Sequence, residues 1–563
     1  MKSLKTLLTL AMALLVTMPL AAQTDAEPTD PYPGSQEAWA NLKKPTAGWG
    51  SIDLRYSRSQ IPTFEKKLTL HAWRGERVGA LALIATPQDG QLSFEISNLK
   101  SGKHTIASSQ VKKYYVRYVL SDKDVNRNDS ILTGDRLAPA DQPMTLAANT
   151  TRPMWLDVHV PEDAAPGKYT GTVTIYYNNV KHVLPLTLEV VDRVLPAPSE
   201  WSFHLDLWQN PYAVARYFDV PLWSKQHFDL MRPTMELLAA AGEKVITCSI
   251  IQRPWNGQTE DPFESMIAKM KTVDGQWKYD YTVFDRWVEF MIGCGITKQI
   301  DCYTLVPWHY RFDYFDLATN SVKYVACKPG EKAYEDFILP FLKDFAAHLK
   351  QKGWFSRTCI AMDERPMDQL KAAYDLVRRA DPEYKIEGAF NYFPEVVSMV
   401  HDVSVAYQYK LLDERVLTER RQNGTPVTFY TCCSPNRPNT FTFSPPAESA
   451  FMGWHAMAAG YDGYLRWAYN SWVKDPNSDA RFRTWASGDC FLVYPGGSSI
   501  RMERLTEGIQ DYEKLRILKQ TASEKQLQRI SEVLETMRPN VLDPSVEAAD
   551  LLKTGKALLR ELE

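Results

Sequence analysis

One change of periodicity, at Leu195-Pro196-Ala197-Pro198, divides this chain into two parts that cannot share one architecture. Before it, from about Trp39 to Leu195, apolar residues recur at every second position, which places them on one face of an extended segment. Tyr114 to Leu120, Met154 to Val160, Tyr169 to Tyr177 and His182 to Val191 are the clearest strands. Asn178-Asn179 suits a tight hairpin turn between the last two, and Pro166-Gly167 punctuates the chain before them. An antiparallel β-sandwich is expected over residues 23–195.

After the proline-containing stretch, short apolar runs alternate with segments of helical spacing, the pattern of βα units around a parallel sheet. The runs are Trp201 to Trp208, Lys244 to Ile250, Gln299 to Leu305, Thr358 to Asp363, Tyr384 to Phe390, Ser404 to Tyr409, Val427 to Cys432 and Tyr464 to Tyr469. Eight such units close a (β/α)8 barrel of the TIM type, expected over residues 196–520. Helices are expected over Ser224 to Ala241, Tyr281 to Cys294, Glu331 to Lys352, Met367 to Ala380 and Arg501 to Lys519, with Phe491 to Tyr494 as an alternative last strand. Residues 521–563 read as a short helical extension.

At 563 residues the chain exceeds what one hydrophobic core usually supports, which agrees with this division. A formal net charge of −3 carries no basic excess, so nucleic acid is not an expected partner. Lys2 and Lys5 precede an apolar run from Leu7 to Val16 that is too short to span a bilayer, and Ala21-Ala22 follow as a cleavage site. Residues 1–22 are therefore expected to be a signal peptide, and the protein periplasmic or secreted without a membrane span. No motif requires a metal or a cofactor, and the adjacent Cys432-Cys433 has poor geometry for an ordinary disulfide.

In such a barrel the functional side chains gather where the strands end, because the βα loops form the open face there. His204, Asp206 and Trp208 alternate along the first strand; Asp301 and Tyr303 lie on the third, Tyr407 and Tyr409 on the sixth, and Trp467, Tyr469 and Asn470 on the eighth. The fourth strand is small and apolar until it ends in Asp363-Glu364-Arg365-Pro366. Two carboxylates with restricted solvation have pKa values pushed apart, so that one stays ionised while the other carries a proton. A structural reading stands beside this: an acidic pair bonded to Arg365, or a cap on the helix that Pro366 opens. The dipeptide recurs at Asp413-Glu414, so its place at a strand end carries the inference.

Adjacency constrains the chemistry further. An inverting glycosidase separates its carboxylates by ~6.5–9.5 Å, and an ordinary retaining one sets acid and nucleophile on opposite faces of the sugar. Neighbouring residues suit a third arrangement, in which the substrate's own 2-acetamido oxygen attacks the anomeric carbon. Asp363 would then orient and charge-stabilise the amide, and Glu364 would act as acid and then base.

The sandwich-then-barrel order, the strand-end Asp363-Glu364 and three later runs together resemble glycoside hydrolase family 123. Those runs are Gly463-Tyr464-Leu465-Arg466-Trp467-Ala468-Tyr469-Asn470, Gly488-Asp489-Cys490-Phe491-Leu492-Val493-Tyr494-Pro495-Gly496 and Arg501-Met502-Glu503-Arg504. The resemblance implies a retaining exo-β-N-acetylgalactosaminidase acting on glycolipids or glycans, with Asp363 polarising the acetamido group and Glu364 as acid/base. It also implies a tyrosine on the acetamido carbonyl and tryptophans around the methyl, for which Tyr407, Tyr469, Trp467 and Trp472 are candidates, and contacts from Asp489 and Arg501 to sugar hydroxyls. Each of these can instead serve packing or a buried ion pair. Two other readings stay open: a glycosidase with a direct nucleophile such as Asp206 or Asp301, and a non-catalytic glycan-binding protein.

Overall fold

The computed structural model describes residues 26–391, 394–409, 411–539, 543 and 545–563. The expected leader, residues 1–22, lies outside them. The first part is a sandwich of a five-stranded and a seven-stranded sheet. Its pairings are antiparallel except for Leu68–Arg74, which runs parallel to Val180–Val194. Alternate residues of both sheets meet in one core, with Ala82, Ile84, Met154 and Leu156 facing Leu92, Phe94, Val173, Ile175, Leu186 and Leu188. The five-stranded sheet is buried on its other face too. There Leu81, Leu83, Val116, Leu137 and Trp155 cover Ile500 at the start of the barrel's last long helix, Ile500–Lys519.

Polar groups fix this contact. Asp135 and Arg501 form an ion pair of 2.9 Å with both side chains fully buried, and Tyr494 Oη donates to the same carboxylate at 2.8 Å. Lys514 reaches Glu76 at 2.7 Å, and Ser487 Oγ donates to Asp122 at 2.8 Å.

The second part is a nearly closed barrel of eight parallel strands: His204–Leu207, Val245–Ser249, Gln299–Tyr303, Thr358–Met362, Lys385–Phe390, Asp402–Ala406, Val427–Tyr430 and Gly463–Arg466. Each lies within or beside a run expected from the sequence. Phe491 contributes only an isolated bridge to Asn470. Apart from their first residues His204 and Lys385, the strands are buried because helices cover the outside and side chains fill the lumen, which is why they read as continuous apolar runs. The first strand meets the eighth in a regular parallel ladder but touches the second only around Leu205 and Glu243. Side chains complete this seam. The Glu243 carboxylate accepts from the Leu207 and Val245 backbone N–H groups, and Gln209 exchanges bonds with Thr247 through its own N–H and its side-chain oxygen.

Met367–Ala380 shows why the helices sit where they do. Leu370, Ala373, Leu376 and Val377 form its buried stripe, Pro366 opens it, and Arg378 and Arg379 lie in the last turn, where cations favour the helix dipole. Unexpected from the sequence is a small four-stranded sheet built from the loops after the second and third barrel strands: Ala268–Lys271, Trp277–Asp280, Arg311–Asp316 and Ser321–Ala326. The terminal helices Glu524–Glu535 and Ala548–Leu562 close the outside of the barrel. There Trp454 lies over Gly555, and Trp73 of the sandwich donates to Glu563 at 2.6 Å. Among the described residues no helix is long and apolar enough to cross a membrane.

Removing one partner of a buried ion pair strands the other charge and typically costs about 3–5 kcal/mol. Asp135 keeps Arg55 at 3.2 Å, so Arg501→Met is expected to lower the apparent unfolding free energy by less, about 1–3 kcal/mol, in a denaturant titration. An unchanged midpoint would show that the Asp135–Arg501 pair contributes nothing to holding the sandwich on the barrel.

Candidate active site

The barrel lumen is layered, and the layers follow from strand alternation. At its N-terminal end, His204 pairs with Asp402 at 2.9 Å, and Gln299 donates to the same carboxylate at 2.7 Å. Burial opposes charge on both, yet the Asp402 carboxylate holds His204 above the usual histidine range, and His204 holds Asp402 below the usual carboxylate range. Above them Asp206, Asp301 and Glu387, from the first, third and fifth strands, point their carboxylates at one another. Burial pushes all three up, Asp206 to about 7, and their mutual repulsion pushes Asp301 and Glu387 well above the usual range. Tyr303 Oη donates to Glu387 at 2.9 Å. An apolar floor of Tyr303, Ala361, Ala389, Ala406 and Leu465 then separates these acids from the open end.

On that floor, at the C-terminal ends of the strands, lies a cavity of about 130 Å³ that opens to solvent. Asp363 and Glu364 leave the fourth strand into its wall, Trp208 and Tyr430 come from the ends of the first and seventh, and Trp467 follows the eighth. The loops add Trp255, Gln258, Trp308, Cys432, Cys433, Trp485 and Asp489. Trp208 stacks on Trp255, with ring centroids 5.0 Å apart and planes inclined by 27°, and Trp467 meets Trp485 edge to face at 6.1 Å. Five indoles and three carboxylates make a wall that is apolar over most of its area.

The two carboxylates are held differently. Asp363 accepts from the Glu364 backbone N–H at 2.7 Å and from the Trp308 indole N–H at 3.1 Å. Glu364 accepts from the phenol of Tyr430. Burial raises both pKa values; N–H donors work against it at Asp363 and the Tyr430 phenol works against it at Glu364, where the Asp363 charge adds a smaller push upward. Neither structural reading of the pair describes this site. The helix after Pro366 receives no side-chain cap. The Arg365 guanidinium lies over the Trp308 and Tyr310 rings, 4.9 and 4.8 Å from their centroids. At the duplicate dipeptide, by contrast, Asp413 caps Glu414–Gln422 by accepting from Arg415 N–H.

The expected binding residues separate sharply. Trp208, Trp467 and Asp489 line the cavity. Asp489 is buried, and its Oδ1 accepts from Arg466 and from the Trp467 indole, each at 3.0 Å. Its Oδ2 has no partner among the described residues.

The others lie elsewhere. His204 is the first residue of its strand and so sits at the opposite end of the barrel. Asp206 and Asp301 are below the floor. Tyr407 has the parity of Val403 and Val405, faces outward onto Phe429 and His455, and donates to the Pro539 carbonyl. Tyr469 donates to the Thr234 carbonyl, and Trp472 to that of Val493. Asn470 exchanges two bonds with Asn210. Arg501 serves the contact with the sandwich.

Sequence reading missed Tyr430, Trp255 and Trp308. Tyr430 ends a strand, and the same strand-end rule identifies it; the two tryptophans sit in long loops after the second and third strands, where only position relative to the open face marks them.

Because the fold retains the Asp206 proton up to about pH 7 while the unfolded chain releases it near 4, this group costs stability as pH rises through that window and no further above it. Relative to wild type, Asp206→Asn is expected to gain melting temperature as pH rises from about 4 to about 7. A pH-independent difference between the two proteins would show that Asp206 titrates normally.

Comparison with known proteins gives a consistent result. The family model described as glycoside hydrolase 123, catalytic domain, matches residues 208–518, and the corresponding N-terminal domain model matches residues 49–177. Among solved structures, a family 123 glycoside hydrolase from Clostridium perfringens, described in connection with glycolipid glycan hydrolysis, superposes with a TM-score of 0.85 at 26% identity. That match covers 92% of this chain and 98% of that one. A bacterial Ig-like domain containing GH10 xylanase from termite gut reaches 0.33 at 11% identity, over 80% of this chain and 100% of that one. No curated protein matches.

Proposed function

Since the chain belongs to glycoside hydrolase family 123, we propose that it releases terminal β-linked N-acetylgalactosamine from glycolipids or glycans by using the substrate's own acetamido group as nucleophile. The observation that carries this reading is the unequal anchoring of two adjacent carboxylates on one wall of the cavity. Adjacent side chains cannot easily flank a sugar from opposite faces, so a nucleophile supplied by the substrate removes the need for a third acid. The Clostridium perfringens relative is described as acting on glycolipid glycans, which supports the substrate class.

In the first step the acetamido oxygen attacks the anomeric carbon while Glu364 gives its proton to the departing glycosidic oxygen. Burial and the neighbouring Asp363 charge favour the protonated form that Glu364 needs. Asp363 accepts a hydrogen bond from the acetamido N–H, and its charge balances the developing oxazolinium ion. Its backbone and indole N–H donors fix the carboxylate before substrate arrives. In the second step Glu364 takes a proton from water, which opens the oxazolinium ring from the side the leaving group vacated, so configuration is retained. The tryptophans offer apolar faces for the sugar ring and the acetamido methyl. Asp489 Oδ2 offers an acceptor for a hydroxyl.

Asp363→Asn and Glu364→Gln are each expected to cut turnover of an aryl β-N-acetylgalactosaminide by about 10²–10⁴-fold. With a strongly acidic leaving group the Glu364→Gln deficit in the first step should largely vanish, since little protonation is then needed, and the alkaline limb of the pH profile should vanish with it. Wild-type rates in both variants would defeat the assignment. A thiazoline analogue of the oxazoline should inhibit, and failure to inhibit an active enzyme would exclude the acetamido route. A paired assay against the gluco epimer decides the sugar, with galacto preference expected.

A further inference from the structure

Two thiols stand side by side in the cavity wall, and the hydrolysis described above gives them no task. Cys432 and Cys433 follow Tyr430, the phenol bound to Glu364, by two and three residues, and both line the same cavity as Asp363 and Glu364. Their sulfurs are 3.8 Å apart. Cys433 is exposed and Cys432 half-buried, whereas the chain's other cysteines are buried in the core. The backbone is fixed on the Cys432 side: its carbonyl accepts from the Asn439 side-chain amide at 2.9 Å, and its N–H donates to the Ser434 carbonyl at 3.0 Å. Asn439 is itself buried and held by Glu448 and Arg466.

We infer that Cys432 and Cys433 are a reversible oxidation site, closing to a vicinal disulfide in the cavity wall when the protein meets a small-molecule disulfide oxidant. Cys433 is the exposed sulfur of the pair, and the contact with the Cys432 thiol favours its thiolate, so Cys433 is the attacking sulfur. Its thiolate attacks one sulfur of the oxidant, forming a mixed disulfide and expelling one thiolate, which takes up a proton. Cys432 then loses its proton and attacks the Cys433 sulfur, expelling the second thiol. Two protein thiols are oxidised by two electrons, and one disulfide is reduced to two thiols.

Neighbouring Cα atoms are ~3.8 Å apart, below the usual ~4.4–6.8 Å of bridged cysteines, so the eight-membered ring is strained and returns readily to the dithiol under reductant. Closure brings the sulfurs to ~2.05 Å. With Cys432 anchored, most of that movement falls on Cys433 and the wall it forms. Displacements of ~1 Å near reacting groups can cost about 10²-fold in rate, so oxidation is expected to slow turnover roughly tenfold or more. This effect on rate rests on the proposed activity; formation of the bond does not.

The full chain is incubated with oxidised glutathione, quenched in acid, alkylated and digested. The peptide carrying both cysteines should appear unalkylated and two hydrogens lighter than the dithiol, and dithiothreitol should restore double alkylation. Turnover should fall on oxidation and recover on reduction, while in Cys433→Ser the ratio of oxidised to reduced rate should be one. Full alkylation after oxidant, or a stable glutathione adduct on Cys433, would overturn the site. A vicinal disulfide that leaves kcat and KM unchanged would overturn its control of the cavity. A protein without hydrolase activity would refute the function above, while the mass measurement would still decide whether the bond forms.

Discussion

The buried ion pair between Asp135 of the sandwich and Arg501 of the last barrel helix fixes where one wall of the cavity stands. Arg501 Nη1 points at the carbonyls of Thr440, Gly488 and Phe491, so the loop after the eighth strand hangs from it. Gly488 has φ +85°, and a Cβ there would lie 2.5 Å from Thr442 N and 2.9 Å from Arg501 Nη1; only glycine lets this backbone approach the guanidinium. The next residue is Asp489, clamped by Arg466 from the barrel side. From there the Trp467 indole is held into the cavity. The sandwich, which contributes no side chain to the cavity wall, thereby sets the position of an acid and an aromatic that do.

Electrostatics divide the barrel vertically. Asp206, Asp301 and Glu387 lie below an apolar floor, and burial drives them toward the neutral form, while the Asp402 charge is offset by His204. Asp363 and Glu364 are then the nearest carboxylates to anything bound in the cavity, apart from Asp489, whose charge is offset by Arg466. A site built to stabilise a cationic intermediate gains from this arrangement, because the field at the anomeric carbon comes from a few oriented groups.

Fold class was legible because burial on both faces writes apolar runs, and helices between them write a 3.6-residue stripe. Asp363 and Glu364 were legible because a carboxylate pair ends an apolar strand. What failed was parity at the strand ends. Tyr407 reads as inward only if its strand is counted from the wrong residue, and one position turns a lumen side chain into one that packs on the outer helices. His204 failed for direction: alternation put it on the correct face but could not say which end of the barrel it occupied. The loop residues Trp255, Trp308 and Asp489 come together only through tertiary folding, and no local period encodes that. Arg501 looked like a binding residue because a fully buried arginine and a ligand-binding one are the same letter; its partner Asp135 is 366 positions away.

The seam between the first and second barrel strands has a meaning beyond geometry. A strand whose backbone donors face no neighbour is a template on which another chain can lay itself down. Here Glu243 and Gln209 occupy the donors and acceptors that the second strand would have met. Two side chains thus act as end-stops, making the sheet self-limiting where its own ladder runs out and denying a foothold to a stranger's strand.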